Sequence, residues 1–490
     1  MDEPTFFDIH CHTMNLSHPY LLAFVNRYNL PLVLLLSSVL GPLASLLMNK
    51  RLNRVKNLLA IMENDVGDLL FLAEGCLRND HQESLFPNGQ LQIGDRTYSK
   101  IVLTPLLIDF GYKGFNNPYI HYNHPSKKPI VEQVTDVFTG IKDYMDPSKR
   151  NESKKSLKLK ETPLFEIYPF LGINTQNYYL GAENGITIMK KPDLTQLSDS
   201  LQKKLQYQSK QSFLIYHGKM TEKEKVELLA LFDHPVDRLA IDELYQCSQT
   251  VNDRNTIPKM LEKYFGAYTG RRSDLASNLG KFDGNIDHLS NHFFAGIKVY
   301  PPLGFDPWPD DNELELAKVK YLYQYCSDKQ IPITAHCSCG GFRVIGRKFA
   351  QQYTSPSRWQ IVLENYPSLK INLAHFGFQK KTMRSILATQ WMEQILQLIL
   401  KYENVYTDFS YRGTKKKYYR TLRRLIDRTP EAARPKLLNH ILFGSDFMIN
   451  LIKIDSYFDF YEFFHSSAHL TAAEKDRFGS QNPERFLFKT

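Results

Sequence analysis

The chain has 490 residues, 42% hydrophobic and 23% charged, the ordinary balance of a globular enzyme. Its formal charge is +9, and the positive residues bunch in a few places: Lys149, Arg150, Lys154, Lys155, Lys158 and Lys160 in one polar stretch, and Lys415 to Lys417 with Arg420, Arg423 and Arg424 in one predicted helix. No aromatic-interleaved basic groove or nucleic-acid motif accompanies them, so nucleic acid is not an expected partner. The clusters read as a solvated loop and a solvated helix face, with an anionic substrate as the alternative. The 6 cysteines are too sparse for a disulfide scaffold in this length, which points to a reducing, cytoplasmic setting.

Short apolar, β-rich runs ending in polar residues recur along the chain: Phe6 to His12, Ile101 to Phe110, Leu164 to Ile173, Phe293 to Tyr300, Ile331 to His336, Ile371 to His375, Val405 to Phe409 and Ile441 to Asp446. Helical patterns separate the later runs, at Glu313 to Lys329, Ser357 to Asn365, Met383 to Tyr402 and Lys415 to Asp427. Thr471-Ala472-Ala473-Glu474 fits a capping box that opens a C-terminal helix. This alternation predicts an α/β fold, a (β/α)₈ TIM barrel over 1–490 with long helical insertions after strands 1 and 3.

Those insertions are 13–99, with Leu58 to Leu72 as an apolar-rich helical stretch, and 178–292, with helices expected at Asp193 to Gln211 and Glu222 to Phe232. Both leave the C-terminal ends of strands, where barrel active sites lie, and read as lids and substrate walls. The apolar segment Leu30 to Met48 approaches the length of a membrane span. Gly41-Pro42 interrupts it, and its flanking strands must join one barrel, so a buried hairpin or lid is favoured over membrane contact. The Lys/Ser-rich 148–160 segment reads as a disordered loop.

The chemistry concentrates at strand ends. In Asp8-Ile9-His10-Cys11-His12, residues i and i+2 share a face of a strand, so His10 and His12 can bind one ion. His336, His375 and Asp446 end three further runs, and Lys298 lies in Gly296-Ile297-Lys298-Val299-Tyr300. Each alone is more often a satisfied core polar group. Charged and imidazole groups in apolar strands are costly unless paired or ligated, and their joint placement points to a metal site. The Cys337-x-Cys339 pair beside His336 reads as structural rather than as sulfur ligation.

The D-x-H-x-H start, the G-I-K-V-Y-P-P run, the strand-end histidines and the G-S-D strand resemble the amidohydrolase superfamily, above all its amidohydrolase-2 branch of hydrolases and decarboxylases. The resemblance implies metal ligands His10, His12, His336 and Asp446, with Asp446 also handling the proton of a metal-activated water. His375 would be a second-metal ligand or a polarising group, and Lys298 either a carbamylated bridge between two ions or a polarising cation. A divalent ion, zinc by preference, is expected, with one favoured over two because the branch is largely mononuclear. Asp8 reads as a support below the metal.

Hydrolysis of a C–N or C–O bond, as in an amide or lactone, is the expected reaction. Non-oxidative decarboxylation of an unsaturated or aromatic acid is the alternative, and a catalytically silent metal-binding scaffold is the reading from another class. Arg343 and Arg412 follow functional strands and could grip a carboxylate of a small, anionic substrate, with surface salt-bridging as the competing reading. A homo-oligomer is compatible with the sequence, which does not specify the substrate.

Overall fold

The computed structural model describes residues 4–19, 53–79, 85–110, 130–157, 159–178, 180, 183–208, 212–249, 256–379 and 390–489. The apolar segment 30–48 lies outside the described residues, and among those described no helix is long and apolar enough to cross a membrane.

The strands in chain order are β1 (Thr5–Cys11), β2 (Leu91–Ile93), β3 (Arg96–Tyr98), β4 (Lys100–Pro105), β5 (Phe165–Ile167), β6 (Phe170–Gly172), β7 (Glu183–Thr187), β8 (Leu205–Gln208), β9 (Phe213–His217), β10 (Gly296–Val299), β11 (Ile333–Ala335), β12 (Ile371–Leu373), β13 (Val405–Asp408) and β14 (Ile441–Leu442). All eight expected barrel strands are among them. The third is split at Tyr168-Pro169, where proline can donate no ladder hydrogen bond. One half, β5, pairs with β4, and the other, β6, pairs with β10, every pair being parallel.

The two parallel sheets, β1-β4-β5 and β14-β13-β12-β11-β10-β6, join on both sides. Leu107 N–H donates to Phe170 O at 3.1 Å across one junction. Across the other, Ile9 N–H donates to Phe443 O at 3.2 Å and Asp446 N–H to His10 O at 2.7 Å, beside a parallel bridge between Cys11 and Phe447. The strands thus follow one another around a ring in chain order, as in a TIM barrel. Every residue of β1, β6, β10, β11, β12, β13 and β14 is buried, which is why these strands read as nearly continuous apolar runs. At Gly172 a Cβ would sit 2.5 Å from Leu107 O and 2.7 Å from Asp109 N, so only glycine permits this approach of β6 to the chain beyond β4.

The 13–99 insertion contains helices over 53–62 and Val66–Asn79, followed by the antiparallel hairpin of β2 and β3. The 148–160 stretch, expected as a disordered loop, forms the helix Pro147–Leu157 up to residue 157. Asp146 Oδ1 caps it by accepting from Ser148 N–H at 2.7 Å. Its Arg150 is buried, with Nη2 donating to Glu74 Oε1 at 2.7 Å and Nε to Lys160 O at 2.7 Å. Composition alone misjudged this segment because one buried ion pair ties it down.

Contacts divide the chain into two compact units, 1–174 with 264–307 and 325–490, and 175–263 with 308–324. The first holds the barrel strands. In the second, antiparallel strands β7-β9-β8 and the helices Glu222–Leu229 and Pro235–Gln249 bury Ile186, Leu201, Leu214, Leu228, Ile241 and Leu244. The 178–292 insertion, expected to be mostly helical, therefore carries a sheet as well. Asp193 to Gln211 is not one helix but a turn at Leu194–Gln196, a single turn at Asp199–Gln202 and β8. Leu205 is buried and Gln206 exposed, a period-2 alternation that overrides the polar helical composition.

Candidate metal centre

The strand-end residues singled out from the sequence converge inside the first unit. His10 lies within β1 and His12 one residue beyond it; His336 follows β11 directly, His375 follows β12 by two residues, and Asp446 follows β14 by four. His375, Tyr411 and Asp446 adopt left-handed backbone, with φ of 63°, 60° and 61°. Such conformations cost free energy in non-glycine residues and cluster where surrounding structure enforces a functional geometry.

Each histidine has one nitrogen tied to an acceptor and one turned inward. His10 Nδ1–H donates to Asp408 Oδ2 at 2.9 Å, and His12 Nδ1–H to Leu106 O at 2.9 Å. His336 Nε2–H donates to Gly340 O at 3.0 Å, and His375 Nδ1–H to Ser410 O at 3.2 Å. Carbonyls and carboxylates can only accept, so these contacts assign the tautomers and leave the inner nitrogens as lone pairs. His10 Nε2 and His12 Nε2 lie 3.6 and 3.3 Å from the same oxygen, Asp446 Oδ1. His336 Nδ1 and His375 Nε2 face each other at 3.1 Å.

Ligand atoms of His10, His12 and Asp446 lie within 4.8 Å of one another, as do those of His10, His375 and Asp408. His336 belongs to neither set and joins the cluster through His375. His10 Nε2 is buried with no hydrogen-bond partner among the described residues, an orphaned atom that a cation would satisfy. Lone pairs converging on a carboxylate oxygen fit a divalent ion, and the second nitrogens are oriented as metal-bound histidines require.

The electrostatics agree with that fit. Burial, aided by the Lys298 charge and opposed by Asp408, pulls the His10 imidazole down to about 4. Burial and neighbouring His375 hold His336 well below the usual histidine range, and burial lowers His375. Neutral imidazoles at neutral pH are what a metal requires. Burial would raise Asp446, but His12, His375 and His10 outweigh it and keep the carboxyl below its ordinary range.

Lys298 lies on β10 with Nζ buried and without a hydrogen-bond partner among the described residues, 5.8 Å from the Tyr300 ring centroid. Burial draws its amine down to about 8 against the opposing pull of Asp408 and Asp446. Asp8 sits beneath the cluster, accepting from Ser445 N–H and Tyr457 O–H, both at 2.8 Å. Gly444 precedes that support because a Cβ there would lie 2.6 Å from His10 Cβ. Cys337 donates its thiol to Thr354 O and takes no part in the cluster.

A cleft opens onto His12, His336, His375 and Asp446. Tyr300, Phe342, Phe378, Ile108 and Ile449 supply apolar wall, and Arg412 lines it as well. Arg343 is half-buried and lies outside the lining.

Sequence reasoning missed Asp408. Its carboxylate accepts from Asn372 Nδ2 at 2.7 Å, from His375 N–H and Ser410 N–H at 3.0 Å each, and from the Ser410 hydroxyl, besides His10. Burial opposes its ionisation, yet His10 and these donors hold the carboxyl well below the usual range. The signal was an aspartate inside the apolar run Val405 to Phe409, the same kind of feature that drew attention to Lys298.

Fold and cluster together define a parallel α/β barrel with a candidate His/Asp metal centre at the C-terminal ends of its strands. Residues 283–489 match the family model described as Amidohydrolase, the family that the sequence motifs resemble. None of the curated proteins compared matches the chain.

Solved structures similar to it include an amidohydrolase from Burkholderia multivorans with bound zinc, at 16% identity over 45% of this chain and 71% of that one, with a TM-score of 0.29. The 2,6-dihydroxybenzoate decarboxylase from Rhizobium is 14% identical over 40% of this chain and 62% of its own, with a TM-score of 0.25. A dihydroorotase from Campylobacter jejuni is 16% identical over 40% and 60%, with a TM-score of 0.23. The chain spans less than two thirds of the length of several of these structures.

Proposed function

We propose that the protein is a metal-dependent hydrolase of a C–N or C–O bond, of amide or lactone type. The observation that carries this reading is the set of four histidines, each fixed on its outer nitrogen, with two inner nitrogens turned to one Asp446 oxygen. His10, His12 and Asp446 would hold the ion, with His336 closing the set through its contact to His375. A bound divalent ion supplies Lewis acidity, polarising a carbonyl and making water more acidic.

The chain's own groups do the rest. Asp446, kept anionic by the surrounding imidazoles, accepts the proton of the attacking water and returns it to the leaving group. Lys298 is the group we assign to stabilise charge developing on the carbonyl oxygen, whereas His375, whose inner nitrogen carries a lone pair, would serve the ion. The walls of Tyr300, Phe342 and Phe378 limit water around the substrate. One ion is the reading favoured over two: the two candidate triads share His10, whose Nδ1 is already engaged by Asp408.

The test begins with the metal content of the purified protein, expected near one equivalent of zinc and lost in the His10→Ala/His12→Ala double variant. Zinc that persists undiminished in the variant, or that cannot be loaded into the parent, refutes the centre. Products from a panel of amides, lactones and aromatic acids then decide the reaction. Carbon dioxide released without net hydrolysis would replace the hydrolase by a decarboxylase using the same residues.

A further inference from the structure

Arg412 begins the single turn Arg412–Thr414 that follows β13. Its N–H donates to Ser410 O at 2.7 Å and to Phe409 O at 3.0 Å, and Ser410 itself is bonded to His375 and Asp408. The arginine is thereby fixed to the same loop that orients the candidate centre.

The guanidinium lies over two rings, 4.6 Å from the centroid of Phe378 and 4.9 Å from that of Tyr418. Ring contacts occupy the faces of the ion and leave its edge N–H groups for in-plane partners. Among the described residues no carboxylate or carbonyl accepts from those groups, although Arg412 lines the cleft. A half-buried cation whose bidentate fork is unmatched among the described residues is complementary to a carboxylate arriving from outside.

We propose that Arg412 is the substrate anchor of this cleft, holding a carboxylate at one end of a small apolar acid. The assignment rests on the reading of the cleft as an active site. The reacting group of that acid faces His12, His336, His375 and Asp446, and its body lies against Phe342, Phe378, Ile108 and Ile449. Arg343, which does not line the cleft, has no part in recognition.

Calorimetric titration of the full-length protein with benzoate and with its neutral isostere benzamide tests this, with and without a chelator. Benzoate is expected to bind roughly ten- to hundredfold more tightly than benzamide, the range for a charge-assisted hydrogen-bonded pair. Arg412→Met should abolish that preference, Arg412→Lys should restore part of it, and Arg343→Met should leave it intact. Equal binding of the two probes by the parent, no detectable binding of either, or a preference that survives Arg412→Met would overturn the proposal. So would a preference that the chelator removes, since the carboxylate would then be held by an ion. A protein that holds no zinc yet discriminates through Arg412 would refute the metal reading and leave the anchor standing.

Discussion

Asp408→Asn probes the least conspicuous part of the centre. In the parent, Oδ1 of Asp408 accepts from His375 N–H, Ser410 N–H and the Ser410 hydroxyl, whereas Oδ2 accepts from His10 Nδ1 and Asn372 Nδ2. The new amide will keep its oxygen on the side with three donors, which turns its NH₂ towards His10 and Asn372. His10 then relieves the clash of donors by moving its proton from Nδ1 to Nε2, the nitrogen aimed at Asp446. A protonated Nε2 cannot bind metal. Loss of such a supporting carboxylate weakens metal affinity about 10–100-fold, or about 1.4–2.7 kcal/mol. The buried hydrogen bonds lost with it should cost about 1.5–3 kcal/mol of stability each, before any compensation by the shifted His10 proton. Zinc competition against a chromophoric chelator measures the first quantity, and thermal denaturation the second. Zinc affinity within about twofold of the parent would refute the claim that Asp408 sets the His10 tautomer.

Gly444→Ala places a methyl group 2.6 Å from His10 Cβ and should cost about 1–3 kcal/mol while lowering zinc affinity; a melting temperature and affinity equal to the parent's would contradict the packing argument. In the second unit, Leu244 is fully buried, and Leu244→Ala should cost about 2–5 kcal/mol, read as faster proteolysis within 175–263. Unchanged cleavage there would mean that Leu244 is not part of a stabilising core. Glu224 should make the same unit acid-sensitive. Burial raises its carboxyl, but Lys204 and the Thr221 capping contacts outweigh this and pull it from 4.5 down to about 2. A depressed folded-state value means the contribution is present above about pH 4.5 and lost as pH falls towards 2. Hydrogen-exchange protection of the Glu222–Leu229 helix, taken relative to the intrinsic rate at each pH, should therefore fall through that window in the parent and vary less in Glu224→Gln; identical protection profiles would exclude Glu224 as the cause.

The barrel was legible in the sequence because its strands are buried on both faces, so each becomes a short apolar run against which a terminal histidine, lysine or aspartate stands out. The pairing of His10 with His12 follows from the two-residue period of a strand, and the capping box at Thr471 from local backbone chemistry. Tertiary contacts decided what local pattern could not. The helix Pro147–Leu157 persists because Arg150 finds Glu74, and β8 forms because Leu205 reaches the core of the second unit. Arg343 and Arg412 are equivalent as letters after strands, yet only one lines the cleft. Asp408 acquires its importance from His10, a partner 398 residues away. Periodicity and capping act between neighbours in sequence and can be read from it directly. Which nitrogen carries a proton, and which cation lacks a partner, depends on atoms that meet only when the ring of strands has closed.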